Sequence, residues 1–148
     1  MNGTPSVKYF ICALGKVNLG IPAGQTERVI PVTRPQTAVY EIENREAYIS
    51  VPALFRQNNA AAPHGLVLKT TPAGCERAIL LTPRIDIDLE IPAEDIHRLS
   101  EAFTGIFSFV SGVCFSREED MILILDTEKI ITNCGACFAG ERIERELA

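Results

Sequence analysis

The sequence predicts a mainly β domain of barrel-like architecture, and three observations lead there. Apolar residues recur with period two in short pieces, each cut off by proline, glycine or a polar cluster. Segments with strand periodicity greatly outnumber those with helical periodicity, and no linker, internal repeat or low-complexity tract divides them. The chain is 47% hydrophobic and 22% charged over 148 residues, which suits one domain or two small lobes on a shared core. With no Trp, seven Phe and three Tyr, that core must be built mostly from Ile, Leu and Val.

Tyr9–Leu14 reads as the first strand, Gly15-Lys16 as a tight turn and Val17–Ile21 as the return strand. Thr26–Val32 is a third strand, closed by the proline-rich patch around Pro31 and Pro35. Val39–Glu43 and Ala47–Val51 flank the charged knot Glu43-Asn44-Arg45-Glu46 and pair as a hairpin across it. Such a turn ordinarily takes Gly, Asn or Asp, so an Arg between two Glu residues asks for a reason. Pro52 ends the following strand because it has no N–H for the ladder. Arg56–Pro63 is a polar loop, Gly65–Thr70 a strand, Thr71–Gly74 a turn and Ala78–Leu81 another short strand. "RIDIDLEIP" carries the cleanest alternation: Ile85, Ile87, Leu89 and Ile91 face a core, and Asp86, Asp88 and Glu90 face water.

Pro92–Phe103 opens with a proline and first-turn acids, and Ile96, Leu99 and Phe103 fall at helical spacing. It is either a helix or an irregular crossover with one helical turn. Phe107–Phe115 and Met121–Leu125 form a hairpin across "SREED", Asp126 caps a short turn running to Ile131, and Glu141–Leu147 is a short terminal helix. These elements make one domain over residues 5–132, with residues 133–148 as a tail.

Charge excludes two function classes. The net charge is −5 and no segment gathers Lys and Arg into a stripe, which argues against nucleic acid and against docking on anionic lipid. The longest apolar runs, such as Met121–Leu125, are far too short to span a bilayer, and the N-terminus lacks a signal-peptide pattern. The expected location is the cytoplasm, where five Cys most simply mean free thiols.

Candidate chemistry is sparse. His64 and His97 have no Ser or Cys neighbour at a catalytic spacing. Asp86, Asp88 and Glu90 share one strand face, where three acids read as a solvated edge that discourages edge-to-edge pairing rather than an acid-base pair. Cys134-Gly-Ala-Cys137 is a CxxC, but no second ligand pair stands at zinc spacing and no βαβ setting surrounds it. No glycine-rich phosphate loop occurs. The expectation is a binding module with no catalytic residue, metal or cofactor; the rival from another class is a small metal or thiol-redox protein built on Cys134 and Cys137.

From Lys8 to Ile131 the ordered motifs resemble CheW-like domains, the coupling proteins of bacterial chemotaxis. "FICALGKVNLGIPAGQTERVI" is similar to the opening strand, turn and "IPA" of that family. Pro35 stands where a Pro leads into the central box, Arg45 on the Arg of the "NLRG" box, and "ISVPALF" on the "iPVidL" strand. "FVSGVCFSREEDMILILDTEKII" is similar to the closing strand, hairpin and "LLD-x-x-x-LL" segment. Departures gather at the box: Tyr40, Glu43, Asn44 and Glu46 replace Gly, Asn, Leu and Gly, and Ala53 replaces Asp. Arg28 occupies the place of a Glu that commonly pairs with the box Arg, and Thr82-Pro83 replaces a "VD" pair.

The resemblance implies two intertwined five-stranded β-barrel subdomains with one or two short helices. It implies a non-catalytic adaptor joining the regulatory domain of the chemotaxis histidine kinase to the cytoplasmic tips of chemoreceptors. It also implies a partner-binding set of Arg45, Glu46, Arg28 and Glu43, with Glu27, Glu43 or Glu46 taking the place of the missing Glu beside Arg45. The eroded box leaves a second reading, a diverged module of this type serving another partner.

Overall fold

The computed structural model describes residues 6–33, 39–57, 61–99, 109–115 and 120–134. Its strands are β1 (Ser6–Leu14), β2 (Val17–Pro22), β3 (Thr26–Pro31), β4 (Tyr40–Glu43), β5 (Glu46–Ser50) and β6 (His64–Leu68). Then follow β7 (Arg77–Thr82), β8 (Ile85–Pro92), β9 (His97–Arg98), β10 (Val110–Phe115) and β11 (Met121–Leu125). Helix α1 (Val51–Leu54) follows β5, helix α2 occupies residues 127–134, and single 3-10 turns lie at Ala23–Gln25 and Ala93–Asp95.

Two sheets result. One has six strands in the order β8-β1-β2-β11-β10-β9, the other five in the order β3-β6-β7-β5-β4. The chain starts in the first sheet, builds the whole of the second and returns, and this is the intertwining that the resemblance implied. The return is sealed by a parallel pair, in which Asn18, Leu19 and Gly20 of β2 lie beside Ile122, Leu123 and Ile124 of β11. A second parallel pair, β5 with β7, holds the other sheet together.

The six-stranded sheet has to curl. Its outermost strands, β8 and β9, are joined by residues 93–96. A link of that length reaches roughly 17 Å at about 3.5 Å per residue, whereas a flat sheet would hold its outer strands about 24 Å apart.

The inner strands of both sheets, such as β6, β7 and β11, are buried on both faces, and three apolar clusters stack through the molecule. The central cluster lies between the sheets and contains Cys12, Leu14, Leu19, Ile21, Ala47, Ile49, Val51, Leu66, Leu80 and Leu125, with Ile130, Ile131 and Cys134 of α2. A second fills the hollow of the six-stranded sheet with Tyr9, Ile11, Ile91, Cys114, Ile122 and Ile124. A third fills the hollow of the five-stranded sheet with Ala62, Val67, Ile79 and Leu81. Glycine is required where strands press into these hollows. A Cβ on Gly20 would meet Ile124 at 3.0 Å and Ile122 at 3.2 Å, and one on Gly65 would meet Val32 at 2.7 Å and Ile79 at 2.8 Å.

Three β-bulges move strands from the central cluster to a hollow. Thr26 pairs with Leu68 but Arg28 with Val67, Val110 with Leu125 but Gly112 with Ile124, and Cys12 with Ile85 but Ile11 with Ile87. An extra residue at Glu27, Ser111 or Asp86 thus reverses the alternation.

Most predicted strands are present, including both hairpins, and four details differ. Ile87 is 54% exposed: the Asp86 bulge sends Ile85 to the central cluster and leaves Leu89 and Ile91 on the hollow, while Ile87 sits on an edge strand between them. Of the two readings of Pro92–Phe103, the described part follows the crossover with one helical turn, a 3-10 turn, and it adds the unpredicted two-residue β9, which makes the sixth strand. Pro52 does end a strand, but there α1 begins, with the Ser50 hydroxyl accepting from the Ala53 N–H at 3.3 Å. Asp126 caps as expected, Oδ1 accepting from the Glu128 and Lys129 N–H groups at 3.0 and 3.3 Å, and its helix runs past Ile131 through residue 134. Pro35, Phe103, Phe107, most of "SREED", Cys137 and Glu141–Leu147 lie outside the described residues.

Two predictions follow from the packing. Ile49 is fully buried while Leu123 is half-buried, so in urea denaturation Ile49→Ala should cost about 2–5 kcal/mol and Leu123→Ala under about 2 kcal/mol. Burial pushes the Cys12 thiol up to about 12 from 9.0, and the Asp86 carboxylate adds to the rise. The folded state then keeps a proton that the unfolded state loses. Stability should be full below about pH 9 and fall between pH 9 and 12, by up to about 1.4 kcal/mol per unit for this group. Urea titrations from pH 8 to 11 should show a shallower fall for Cys12→Ala.

Candidate functional site

The charged knot becomes a two-residue hairpin loop. Glu43 faces Glu46, Ile42 faces Ala47 and Tyr40 faces Ile49, which leaves only Asn44 and Arg45 to turn the chain. Their φ values are +52° and +63°. A hairpin this tight needs a left-handed backbone at both positions to match strand twist. Asn accepts that conformation readily; for a long side chain such as Arg it costs about 1 kcal/mol relative to glycine.

The parallel β5–β7 pair then supplies neighbours for the turn. Arg77 lies opposite Glu46, and its Nη1 donates to Glu46 Oε1 at 3.2 Å; the Tyr48 hydroxyl donates to the other oxygen at 2.7 Å. Glu46 is thereby held half-buried within the sheet surface. Beside it the Glu76 N–H donates to the Arg45 carbonyl at 2.7 Å, and Glu76 Oε1 lies 3.7 Å from Arg45 Nη1. Both of these side chains are largely in water, at 75% and 70% exposure, so the ion pair adds little stability. The outcome is a guanidinium fixed at its backbone and presented to solvent at its tip.

The acid that reaches Arg45 is thus Glu76, whereas Glu46 is engaged by Arg77 and Tyr48. Of the four residues singled out from the sequence, Glu43, Arg45 and Glu46 share this hairpin. Arg28 is exposed on β3, at the other end of the sheet order, and among the described residues no hydrogen bond or ion pair joins it to the turn. Nothing local in the sequence couples Glu76 and Arg77 to the hairpin; the parallel β5–β7 pairing brings them there.

The residues considered for chemistry are placed elsewhere. His64 Nδ1 accepts from the Ile85 N–H at 3.1 Å, a structural bond that ties β6 to the start of β8. His97 is exposed on β9. Asp88 pairs with Lys8 at 3.1 Å on the surface. Burial raises the Cys114 thiol, helped by Asp95, so neither Cys114 nor Cys12 is set up as a thiolate. Cys134 is buried in the central cluster. Among the described residues no group of three or more His, Cys, Asp or Glu could hold a metal ion, and no helix is long and apolar enough to cross a membrane.

No family profile and no curated protein matches the chain. Among solved structures, the scaffolding protein TtCheW from Thermoanaerobacter tengcongensis matches with a TM-score of 0.61 and 17% sequence identity. The match covers 82% of this chain and 84% of that one. The fold is therefore CheW-like.

The strain at the turn gives a test. Arg45→Gly should keep the stability of the unmodified protein or raise it by up to about 1 kcal/mol in urea denaturation. Arg45→Val, β-branched at a left-handed position, should lower it by about 1 kcal/mol or more.

Proposed function

We propose that this protein is a non-catalytic signalling adaptor that couples chemoreceptor cytoplasmic tips to the regulatory domain of a chemotaxis histidine kinase, with the Asn44–Arg45 hairpin as a docking point. The observation that carries the reading is Arg45 itself. On a CheW-like fold, the residue that falls on the box Arg projects from a turn where glycine would be cheaper, and its tip is in water. A long side chain held in a left-handed turn with its tip in water supports a contact role for that position.

In this reading Arg45 meets the partner, Glu43 and Glu76 flank it, and Glu46 is a positioning residue locked by Arg77 and Tyr48. Arg28 stands outside that surface. A rim charge of this kind sets encounter rate and partner choice more than it adds raw affinity. The adaptor works in the cytoplasm, and uses no cofactor.

A second reading is supported by the box itself. Arg28 stands where a Glu is usual and Glu46 is turned into the sheet, so the surface offered differs from the family pattern. A CheW-like module that has moved to another partner would look like this.

One binding experiment separates the two. The protein is titrated against the kinase regulatory domain and a receptor-tip fragment from the same organism. Arg45→Glu should weaken binding to at least one of them about tenfold, a change of about 1.4 kcal/mol, with an unchanged melting temperature. Normal binding by Arg45→Glu would remove the hairpin from the interface. No binding by the unmodified protein would remove the chemotaxis coupling and leave the diverged module.

A further inference from the structure

The five-stranded sheet is entered through the 3-10 turn at Ala23–Gln25 and left through Pro83 and Arg84, which carry the chain from the end of β7 to the start of β8 in the six-stranded sheet. At that exit His64, the first residue of β6, reaches across to β8: its Nδ1 accepts from the Ile85 N–H at 3.1 Å. A backbone amide can only donate, so the ring is neutral in this bond and carries its proton on Nε2. An imidazolium has a hydrogen on both nitrogens and cannot accept. We propose that His64 is a proton-operated latch on the crossing between the sheets: neutral, it ties the start of β8 to the five-stranded sheet, and protonated, it lets go.

The surroundings leave that proton to decide the state of the joint. Across β6 and β7 the ring's residue faces Thr82, and across β3 and β6 it faces Pro31; neither titrates. Arg84 and Asp86 flank Ile85 in the chain, are exposed and carry opposite charges. Cys12 stands opposite Ile85 in β1, and its thiol, pushed up to about 12, stays neutral where imidazoles titrate. Thr82 raises the cost of release. It is fully buried and its hydroxyl has no hydrogen-bond partner among the described residues, so the joint already holds one unanswered polar group, and protonation of His64 adds the Ile85 N–H. Folding with the latch closed excludes a proton that the unfolded chain accepts. Stability rises with pH where the unfolded state binds more protons, so this contribution is present above about pH 7 and is lost as pH falls toward about 5. That window lies well below the alkaline one of Cys12.

The latch does not rest on the adaptor reading, and its test needs no partner. The chain has two His, so one control covers the other imidazole. In urea denaturation of the full chain, going from about pH 7.5 to about pH 5.5 should raise the unfolding constant of the unmodified protein at least about fivefold more than that of His64→Asn, whose side-chain oxygen keeps an acceptor in place of Nδ1 at every pH. His97→Asn, at an exposed position on β9, should behave like the unmodified protein. NMR of the unmodified protein reads the joint directly. At about pH 7.5 the His64 proton should sit on Nε2, and at about pH 5.5 the Ile85 amide should have lost at least about tenfold in protection from hydrogen exchange, after correction for the intrinsic rate. A proton on Nδ1, an Ile85 amide equally protected at both pH values, or a His64→Asn protein with the pH dependence of the unmodified one would each overturn the proposal.

Discussion

The parallel contact between β2 and β11 is what the rest of the structure depends on. It brings the first and last parts of the chain side by side in the middle of one sheet. There each residue serves a different layer: Leu19 faces the central cluster, while Gly20 gives up its side chain so that Ile122 and Ile124 can fill the hollow on the other face. A sheet with both faces buried cannot slip by one residue without exchanging two cores. Register is thereby fixed from both sides. The second sheet is folded entirely between β2 and β8, so it is presented as an insertion held on a frame closed by that contact.

The same device positions the hairpin. In the second sheet the parallel β5–β7 pair sets Glu46 against Arg77 and brings Glu76 to Arg45. Ala47 and Ile49 on the same strand are fully buried in the central cluster. The turn is thus anchored a residue or two from the interior. A tight two-residue loop on such an anchor has little freedom, and Arg45 inherits its direction from the backbone.

How much of this the sequence revealed depends on distance along the chain. Strands with a steady alternation, such as β1, β2, β5 and β11, were readable because both faces of a strand follow period two. Where a bulge reverses the phase, as at Asp86, the alternation of "RIDIDLEIP" continues past the point where its meaning changes, so it points Ile87 to a core although that side chain is exposed. The two-residue β9 has no periodicity to read. The hairpin and its Arg are visible in the sequence; of the acids it offers for Arg45, Glu27, Glu43 or Glu46, the ion pair goes to none of them but to Glu76. Glu46, at the start of β5, is taken up by Arg77 and Tyr48, and the acid near Arg45 is Glu76, the residue before β7, brought there by the parallel β5–β7 pairing. The likeness of ordered motifs went further than any one of them: 17% identity leaves no diagnostic box, yet the fold is CheW-like.

An ion pair and a strained turn are two ways to orient an arginine, and they have different consequences. A pair holds the guanidinium by its tip, so the partner must compete with the acid for the same hydrogen bonds. A left-handed backbone holds it by its root and leaves the donors open. Here the acid at 3.7 Å is exposed and weakly held, and the more strongly bonded carboxylate of Glu46 is committed to Arg77 and Tyr48. In the proposed adaptor, an Arg at position 28, where the resemblance implies a Glu, need not weaken the docking point. There the turn rather than a side-chain partner would set where the arginine leaves the backbone, at a cost of about 1 kcal/mol that the buried strands on either side can absorb. If the hairpin is the docking point proposed above, its donors would go to a partner that supplies the right acceptors, and its specificity would reside in where the turn points.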